Sequence, residues 1–275
     1  MIEMDSERHI FPIDMFSPPD MRDYKFKSKL KDFPDEFELD KLPVKNQGST
    51  GSCVPHAVSE LVEYINRWQE GSYVRMSTGY IYGNREFETR KLTGGYYTRL
   101  AMKVLKERGD CPWELFPNNE PMPKAEELYL NRDKSIDSEA YKNRISTYFK
   151  VEKPNEVKTL LYDELPVVCS LKWDGSVKAD KNNIVSFPNG DKATGGHCVL
   201  IVGWNKDGWI IQNSWGEKWG RKGRATIPYD APIKEMWGVS DDIVNGLPYI
   251  KVKKPNWLTK LIHKIYTFIR KKYCG

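Results

Sequence analysis

One pattern restricts the fold of this chain more than any other: an apolar stripe at helical spacing that begins where a loop of small residues ends. The loop covers residues 46–52, and the stripe extends over residues 54–68. Ser52 is placed to cap the helix, and Pro55 falls in the first turn, where a missing N–H is tolerated. The pattern therefore predicts that Cys53 lies at a helix N-terminus. The stripe consists of Val54, Ala57, Val58, Leu61, Val62, Ile65 and Trp68, and the other face carries Glu60, Glu63 and Arg67.

Helical patterns dominate the first half of the chain and strand patterns the second half, which indicates an α+β fold with two segregated lobes. The last two predicted strands are joined by Asn205-Lys206-Asp207-Gly208, a strong hairpin signal. Further helices are predicted over residues 98–108, 123–131 and 155–161, and strands over residues 166–171, 196–204 and 208–213.

These patterns divide the chain into four segments. The lead-in segment (residues 1–34) is rich in proline and acidic residues and is expected to run irregularly over a surface. Residues 35–148 are predicted to form the helical lobe, and residues 149–252 the strand-rich lobe. Residues 253–275 form a basic tail.

Composition excludes several classes of protein. The formal net charge is +5, but the eight lysines and arginines after residue 250 exceed this value. Residues 1–250 alone would carry a net charge of −3. A general nucleic-acid-binding surface is therefore not expected. No apolar run reaches the roughly 18 residues of a membrane span, and the acidic start lacks the features of a secretory signal. Five cysteines without regular spacing do not indicate a disulfide framework, so we expect a cytoplasmic protein.

The tail carries an apolar stripe over residues 256–273, with basic residues around the rest of the predicted helix. Three interpretations remain open. The stripe can pack on the body of the protein, attach to an anionic membrane surface, or bind a partner protein.

Cys53 has the position of a nucleophile. A thiol attacks a carbonyl as the thiolate, and a helix N-terminus lowers the pKa of a thiol, as does a neighbouring imidazolium. Of the four histidines, His197 is the best partner because it follows Gly195 and Gly196, which let its strand approach another backbone closely. The return strand of the hairpin then brings Asn213, whose amide oxygen can fix the orientation of the imidazole.

The same loop supplies a candidate for stabilising the oxyanion that forms during acyl transfer. The backbone N–H of Cys53 is one donor, and the side-chain amide of Gln47, six residues earlier, can be the second. Trp215 stands close to Asn213 in the sequence, where a large ring can exclude water. A zinc site formed by His56, Cys198, Cys53 and His197 is a weaker alternative. His197 and Cys198 are adjacent in a strand, so their side chains point to opposite faces and cannot easily converge on one metal ion.

The segments 43–53, 195–197 and 213–220 together resemble the cysteine, histidine and asparagine segments of the papain family of cysteine peptidases. Their order is the same, and His197 follows Cys53 by 144 residues, within the spacing of that family. The resemblance spans about residues 35–245. It implies a papain-like fold, with the active-site cleft between a helical lobe and an antiparallel, barrel-like β lobe.

The resemblance also assigns roles in substrate binding. Gly94 and Gly95 are similar to the glycine pair that binds the substrate backbone at one rim of the cleft. Gly196 leaves room in a neighbouring specificity pocket, and Trp215 lies beside the histidine. The expected substrate is a peptide or protein, and no cofactor or metal is implied.

The chain departs from the family pattern at several positions. Thr50 replaces a cysteine of a common disulfide, and its partner position also lacks cysteine, which fits a reducing compartment. Val54 replaces the usual aromatic residue after the nucleophile, so we expect looser packing around the histidine. Residues 52–57 and 227–230 resemble bacterial members of the family.

The predicted activity is that of a cysteine endopeptidase acting through a thioester acyl-enzyme. Two alternatives stay open from the sequence. An amine acceptor in place of water would make an acyl-transferring enzyme, similar to a transpeptidase or transglutaminase. A catalytically silent binding module could retain the same cleft.

Overall fold

A computed structural model describes residues 14–21, 23–28, 32–85, 95–117, 129–240, 242–244 and 247–249. The basic tail and Gly94 lie outside the described residues. Most of the helix predicted over residues 123–131 does so as well.

Five α-helices are described, and the first is the helix predicted from the apolar stripe. It begins at Cys53 and ends at Glu70, and the capping residue Gly71 has a positive φ of 74°, which suits a residue without a side chain. No helix in the described ranges is both long and apolar enough to cross a lipid bilayer. The helices are α1 (Cys53–Glu70), α2 (Thr78–Gly83), α3 (Thr98–Glu107), α4 (Ser135–Lys142) and α5 (Pro154–Tyr162).

The strand-rich lobe is built on one seven-stranded antiparallel sheet. Its strand order is β10-β9-β8-β5-β11-β4, and β2 pairs separately with β8. The three strands predicted from the sequence correspond to β5, β8 and β9. The sheet consists of β2 (Phe37–Glu38), β4 (Thr147–Lys150), β5 (Val167–Lys172), β8 (Gly196–Asn205), β9 (Gly208–Gln212), β10 (Arg224–Ile227) and β11 (Ile233–Ser240).

The remaining strands form three two-stranded sheets. The first joins the lead-in segment to the helical lobe, because β1 pairs with β3 in a parallel arrangement. The other two are antiparallel and lie within residues 149–252. These strands are β1 (Asp14–Met15), β3 (Tyr96–Tyr97), β6 (Lys178–Ala179), β7 (Val185–Ser186), β12 (Asp242–Val244) and β13 (Leu247–Tyr249).

β8 is the central element of the molecule. It forms the predicted hairpin with β9, and the register shifts between Ile201 and Gly203. At Gly203 a β-carbon would collide with the carbonyl oxygen of Phe37, so only glycine lets β2 pair on this side of β8. β2 lies within residues 35–148, the predicted helical lobe, but it belongs to the sheet of the strand-rich lobe. The chain therefore crosses from this sheet to α1 after β2.

α1 packs against β8 and is buried on both sides. Of the three charged residues on its other face, Glu60 and Glu63 are 1% and 0% exposed, and Arg67 is exposed. The physical reason is a buried cation. The ammonium of Lys45 lies 2.9 Å from Glu63 Oε1 and also donates to the hydroxyl of Ser59 at 2.8 Å. A buried charge is retained only where such partners offset the loss of hydration.

The lead-in segment is attached to both lobes. The carboxylate of Asp23 accepts two hydrogen bonds from the guanidinium of Arg99 on α3, at 2.6 and 2.9 Å. It also lies 3.4 Å from the ammonium of Lys150 on β4. The lead-in segment therefore crosses from the helical lobe to the sheet.

Candidate active site

The first residue of α1 is Cys53, as predicted, and its side chain is fully buried. Ser52 precedes the helix but makes no side-chain cap, because its hydroxyl is hydrogen-bonded to Thr50 Oγ1 at 2.6 Å. The prediction of Ser52 as a capping side chain is therefore wrong. The N–H groups of the first turn of α1 therefore receive no hydrogen bond from the Ser52 side chain.

The loop before α1 is held by its own hydrogen bonds. Thr50 Oγ1 donates to the carbonyl of Gln47 at 2.6 Å, and Gln47 Nε2 donates to the carbonyl of Thr50 at 2.8 Å. A primary amide has two N–H donors, so the second hydrogen of Gln47 Nε2 is not used by this bond. Thr50, where the family pattern has a cysteine, thus closes the loop without a covalent link.

Gln47 also connects this loop to the strand-rich lobe. Its backbone N–H donates to the carbonyl of Ser214 at 2.8 Å, and its Oε1 accepts from Ser214 Oγ at 2.5 Å. Asn46 pairs with Trp215 in an isolated antiparallel bridge. The loop that precedes Cys53 is therefore in direct contact with the segment that begins at Asn213.

His197 and Asn213 are hydrogen-bonded, with 2.7 Å between His197 Nε2 and Asn213 Oδ1. The same oxygen accepts the backbone N–H of Ser214 at 2.8 Å, which fixes the orientation of the amide. Because an amide oxygen only accepts, Nε2 carries the proton of the neutral imidazole and Nδ1 carries the free lone pair. The lone pair on Nδ1 of His197 can therefore accept a proton.

Burial lowers the pKa of His197 to about 4, and the hydrogen bond to Asn213 acts in the opposite direction. Loss of hydration disfavours the charged imidazolium, which is the larger effect for a side chain that is only 3% exposed. The ring is therefore neutral, and able to accept a proton, at neutral pH.

Aromatic rings surround the imidazole on two sides. Trp215 stacks on His197 with ring centroids 4.9 Å apart, and Trp173 meets it edge-on at 5.1 Å. The expectation that Val54 leaves this histidine loosely packed is therefore wrong, since the indole rings come from elsewhere in the chain. Trp173 directly follows β5, and its sequence neighbourhood gave no sign of a role at the site.

Asn213 is anchored by a tight turn before β10. Its backbone N–H donates to the carbonyl of Gly223 at 2.9 Å. Gly223 has a φ of +87°, and a β-carbon there would be 2.6 Å from a methyl group of Val44. Both the backbone conformation and the contact require glycine, so this turn is a part of the site that sequence reasoning missed.

The other predicted residues are distributed as follows. Gly196 is the first residue of β8 and pairs with Lys172. Gly95 is buried directly before β3, and its carbonyl accepts a hydrogen bond from Arg85 Nη1 at 3.2 Å. Gly94 lies outside the described residues, so its predicted role stays untested.

His56 is a buried structural residue of α1. Its Nδ1 donates to the carbonyl of Ser52 at 2.8 Å, and burial lowers its pKa to about 3. Among the residues that the structure describes, no three His, Cys, Asp or Glu side chains are grouped as metal ligands.

The family model described as "Papain family cysteine protease" matches residues 34–245. Ananain from Ananas comosus is 24% identical over 200 residues, which cover 68% of this chain and 52% of ananain. The chain thus spans about half the length of that relative.

Solved structures give the same fold. Xylellain, a cysteine protease from Xylella fastidiosa, superposes with a TM-score of 0.71 at 21% identity, covering 86% of this chain and 98% of its own. The Carica candamarcensis cysteine protease CMS1MS2, in complex with E-64, gives a TM-score of 0.57 at 20% identity, covering 77% of this chain and 100% of its own.

Proposed function

Because this chain belongs to the papain family of cysteine proteases, we propose that it is a cysteine endopeptidase with Cys53 as its nucleophile. His197 is its general base and acid, and Asn213 orients the histidine. The hydrogen bond between His197 Nε2 and Asn213 Oδ1 is the observation that carries this proposal, because it leaves Nδ1 as the base.

In the first half of the reaction, His197 Nδ1 takes the proton of the Cys53 thiol. The sulfur then attacks the carbonyl carbon of the substrate peptide, and the carbonyl electron pair moves to oxygen. When the tetrahedral intermediate collapses, the carbon–nitrogen bond breaks and the imidazolium returns its proton to the departing amine. A thioester to Cys53 remains.

In the second half, His197 takes a proton from a water molecule, and the resulting hydroxide attacks the thioester carbon. The carbon–sulfur bond breaks, and the sulfur leaves as thiolate and recovers the proton from the imidazolium. The acid product is released. Asn213 fixes the orientation of the ring throughout both halves, and the half-buried indole of Trp215, stacked on it, limits access of bulk water.

Two groups are proposed to donate to the developing oxyanion. One is the backbone N–H of Cys53, which lies at the uncapped start of α1. The other is the second amide hydrogen of Gln47, whose side chain is held in place by Thr50 and Ser214. Donors fixed before the reaction stabilise the transition state without reorganisation.

The substrate is a peptide or protein bound along the cleft. Gly95 and Gly196 lie at the starts of β3 and β8, where backbone without side chains lets an extended peptide approach closely. Gly94 is proposed to act with Gly95, and Trp215 to form part of the wall beside the reacting bond.

A reducing, cytoplasmic location is part of this proposal. It is supported by the four cysteines within the described ranges, Cys53, Cys111, Cys169 and Cys198, which are buried and form no disulfide.

The experiment that tests the activity compares the full chain with a Cys53→Ala variant. We expect the full chain to cleave a mixture of peptides and to be labelled by a thiol-reactive peptide epoxide, and Cys53→Ala to lose both activities. Cys111→Ala, which removes another buried thiol, is the matched control and is expected to keep both. Full turnover by Cys53→Ala would overturn the proposal.

The masses of the products decide between the remaining activities. Hydrolysis adds one water to the acyl product, whereas transfer to an added amine gives a new amide. A folded chain that is neither labelled nor active would be a binding module.

A further inference from the structure

One buried carboxyl group on α1 contacts two segments that carry polar residues of the site. Glu60 lies about two helical turns after Cys53 and is 1% exposed. Its Oε1 accepts the backbone N–H of Lys45 at 3.1 Å, and its Oε2 lies 3.5 Å from Nε2 of Gln212. A carboxyl group can accept on both oxygens in either protonation state, because its hydroxyl oxygen keeps a lone pair. Glu60 therefore joins α1 both to the loop before Cys53 and to β9.

The contact with Lys45 lies at one end of a short ladder between the loop before α1 and the segment after β9. The carbonyl of Lys45 accepts the backbone N–H of Gly216 at 2.9 Å, and the N–H of Gln47 donates to the carbonyl of Ser214 at 2.8 Å. The isolated bridge between these segments lies between the two bonds. Because the ladder is continuous with Lys45, fixing that residue also fixes the loop from which Gln47 extends.

The contact with Gln212 lies directly before Asn213 in the chain. Gln212 is the last residue of β9, and its Oε1 accepts the hydroxyl of Tyr64 at 3.0 Å and Nε of Arg224 at 3.1 Å. A guanidinium only donates, so the oxygen of the Gln212 amide must face Arg224, and Nε2 must face Glu60. Tyr64 lies one turn after Glu60 on α1, so the helix holds this amide at both ends.

These contacts form a closed ring around the base of the site. The ring runs from Glu60 to the loop before α1, across the ladder to the segment after β9, and through Gln212 back to Glu60. It includes the backbone of Gln47, and Asn213 directly follows Gln212 in the chain. A buried polar network whose donors and acceptors are matched is rigid, so the ring fixes these residues relative to the helix that begins at Cys53.

We propose that Glu60 is a positioning residue of the peptidase, which holds Gln47 and Asn213 in register with the start of α1. It acts through the two segments that it contacts and touches no reacting atom. This inference rests on the proposed peptidase activity.

Glu60→Gln tests the inference because an amide cannot replace the carboxyl group at both contacts. If the oxygen of the new amide faces the N–H of Lys45, its NH₂ group meets the NH₂ group of Gln212, and neither accepts. If the new amide turns, its NH₂ group meets the N–H of Lys45 instead. Gln212 cannot turn in compensation, because its oxygen is bonded to Arg224 and Tyr64. One side of the ring is therefore broken.

Steady-state kinetics with a peptide substrate measure the effect, normalised to the number of sites labelled by the peptide epoxide so that unfolded protein is not counted. For Glu60→Gln we expect kcat to fall about 10-fold with KM within about twofold of the full chain, because the catalytic groups are misplaced while the substrate contacts are kept. Glu156→Gln is the matched control and is expected to keep kcat. Glu156 is a 5% exposed acid on α5 that accepts two backbone N–H groups outside the site.

The double variant Glu60→Gln/Gln212→Glu reverses the polarity of the broken contact. The new amide donates to the new carboxylate, whose other oxygen accepts from Tyr64 and Arg224, and the bond from Lys45 is kept. We expect kcat to return to within about threefold of the full chain, because the ring is closed again. A loss caused only by lower stability would not be repaired by a second substitution in the core.

The inference is overturned if kcat is unchanged in Glu60→Gln, or if the folded double variant recovers none of the loss. Should Glu60→Gln not fold, Gln212→Asn takes its place. This change withdraws the amide from Glu60 by one methylene and is expected to give the same loss in kcat, and an unchanged kcat would again overturn the inference.

A spectroscopic measurement separates this failure from failure of the proposed function. In Cys53→Ala, which cannot turn over, nitrogen-15 NMR at neutral pH distinguishes the two neutral tautomers of His197, whose signals are assigned by their loss in His197→Gln. We expect the Nε2–H tautomer in this background, a rise of the Nδ1–H tautomer when Glu60→Gln is added, and its reversal in the double variant. That pattern supports the inference even if the full chain cleaves nothing, an outcome that would overturn the peptidase activity alone. A tautomer ratio that does not respond to Glu60→Gln overturns the inference even if cleavage is efficient.

Discussion

At the scale of single residues, the site depends on which nitrogen of one imidazole carries the proton. Asn213 Oδ1 can only accept, so the proton sits on Nε2 of His197 and the lone pair on Nδ1. Burial between Trp215 and Trp173 keeps the ring neutral at neutral pH. A sequence can name the histidine, but only its surroundings determine its tautomer and its pKa.

The pH dependence of kcat/KM follows from this environment. Because the pKa of His197 is lowered to about 4, we expect activity to fall as the pH decreases through about 4, where the free enzyme gains a proton on its base. Asn213→Ala removes the bond that raises this pKa, so the acid limb is expected to move to lower pH.

Asn213→Ala also frees the imidazole of His197 to rotate. We expect kcat to fall about 10- to 100-fold, because part of the contribution of general base catalysis is lost. Asn155→Ala, an exposed position at the start of α5, is the control. An acid limb that stays in place in Asn213→Ala would contradict the assigned hydrogen bond.

The proposed oxyanion donation by Gln47 can be separated from its contact with Ser214. Gln47→Ala is expected to lose about 100-fold in kcat, the cost of one oxyanion donor. Ser214→Ala removes the hydroxyl that holds Gln47 Oε1 but leaves both amide hydrogens, so we expect a smaller loss. Steady-state kinetics at saturating substrate measure both, and an unchanged rate in Gln47→Ala would remove this residue from the site.

At the scale of elements, α1 is an amphipathic helix whose polar face is also buried. Glu60 Oε1 accepts the backbone N–H of Lys45 at 3.1 Å, and its other oxygen lies 3.5 Å from Gln212 Nε2 on β9. Burial raises the pKa of Glu60 to about 8, and the nearby Glu63 adds to this. The helix that carries Cys53 at its start therefore holds a protonated acid near its middle at neutral pH.

This shift predicts how stability changes with pH. Glu60 binds a proton in the folded state up to about pH 8 but loses it near pH 4.5 when unfolded. Between these values the folded state holds more protons, so the contribution of Glu60 to the free energy of unfolding decreases as the pH rises.

The limiting slope is about 1.4 kcal/mol per pH unit for one proton. Glu60→Gln removes the titration and is expected to flatten the curve of unfolding free energy between about pH 5 and 8, measured by urea denaturation. Glu139→Gln, which titrates in solvent, is the control. A curve that keeps its slope in Glu60→Gln would show that the proton difference arises at another group.

At the scale of the whole molecule, two lobes are joined by hydrogen bonds and ion pairs in place of a covalent link. Gln47 is hydrogen-bonded to Ser214 through its backbone and its side chain, and Asp23 of the lead-in segment bridges Arg99 and Lys150. Such contacts exist only when both lobes are folded and docked, so the stability of the site is coupled to that of the whole chain.

Because the lobes are joined without a covalent link, we predict that all the cysteines of the chain are thiols. We expect all five cysteines of the sequence to react with a thiol reagent in denatured, unreduced protein, and the native protein to react more slowly because the four described thiols are buried. Quantitative thiol titration with and without denaturant measures this. A count below five in denatured protein would reveal a disulfide and contradict a reducing environment.

The sequence by itself determined the local elements of this protein. The apolar stripe predicted α1 and its start at Cys53, and the turn at Asn205 predicted the hairpin that brings His197 opposite the segment of Asn213. Both follow from periodicity and turn chemistry within a few residues. Only the tertiary structure decided the environment of these residues. The burial of Glu60 against Lys45 and the contact of Ser17 with Glu235 depend on the packing of segments 15 and 218 residues apart, which no local pattern encodes.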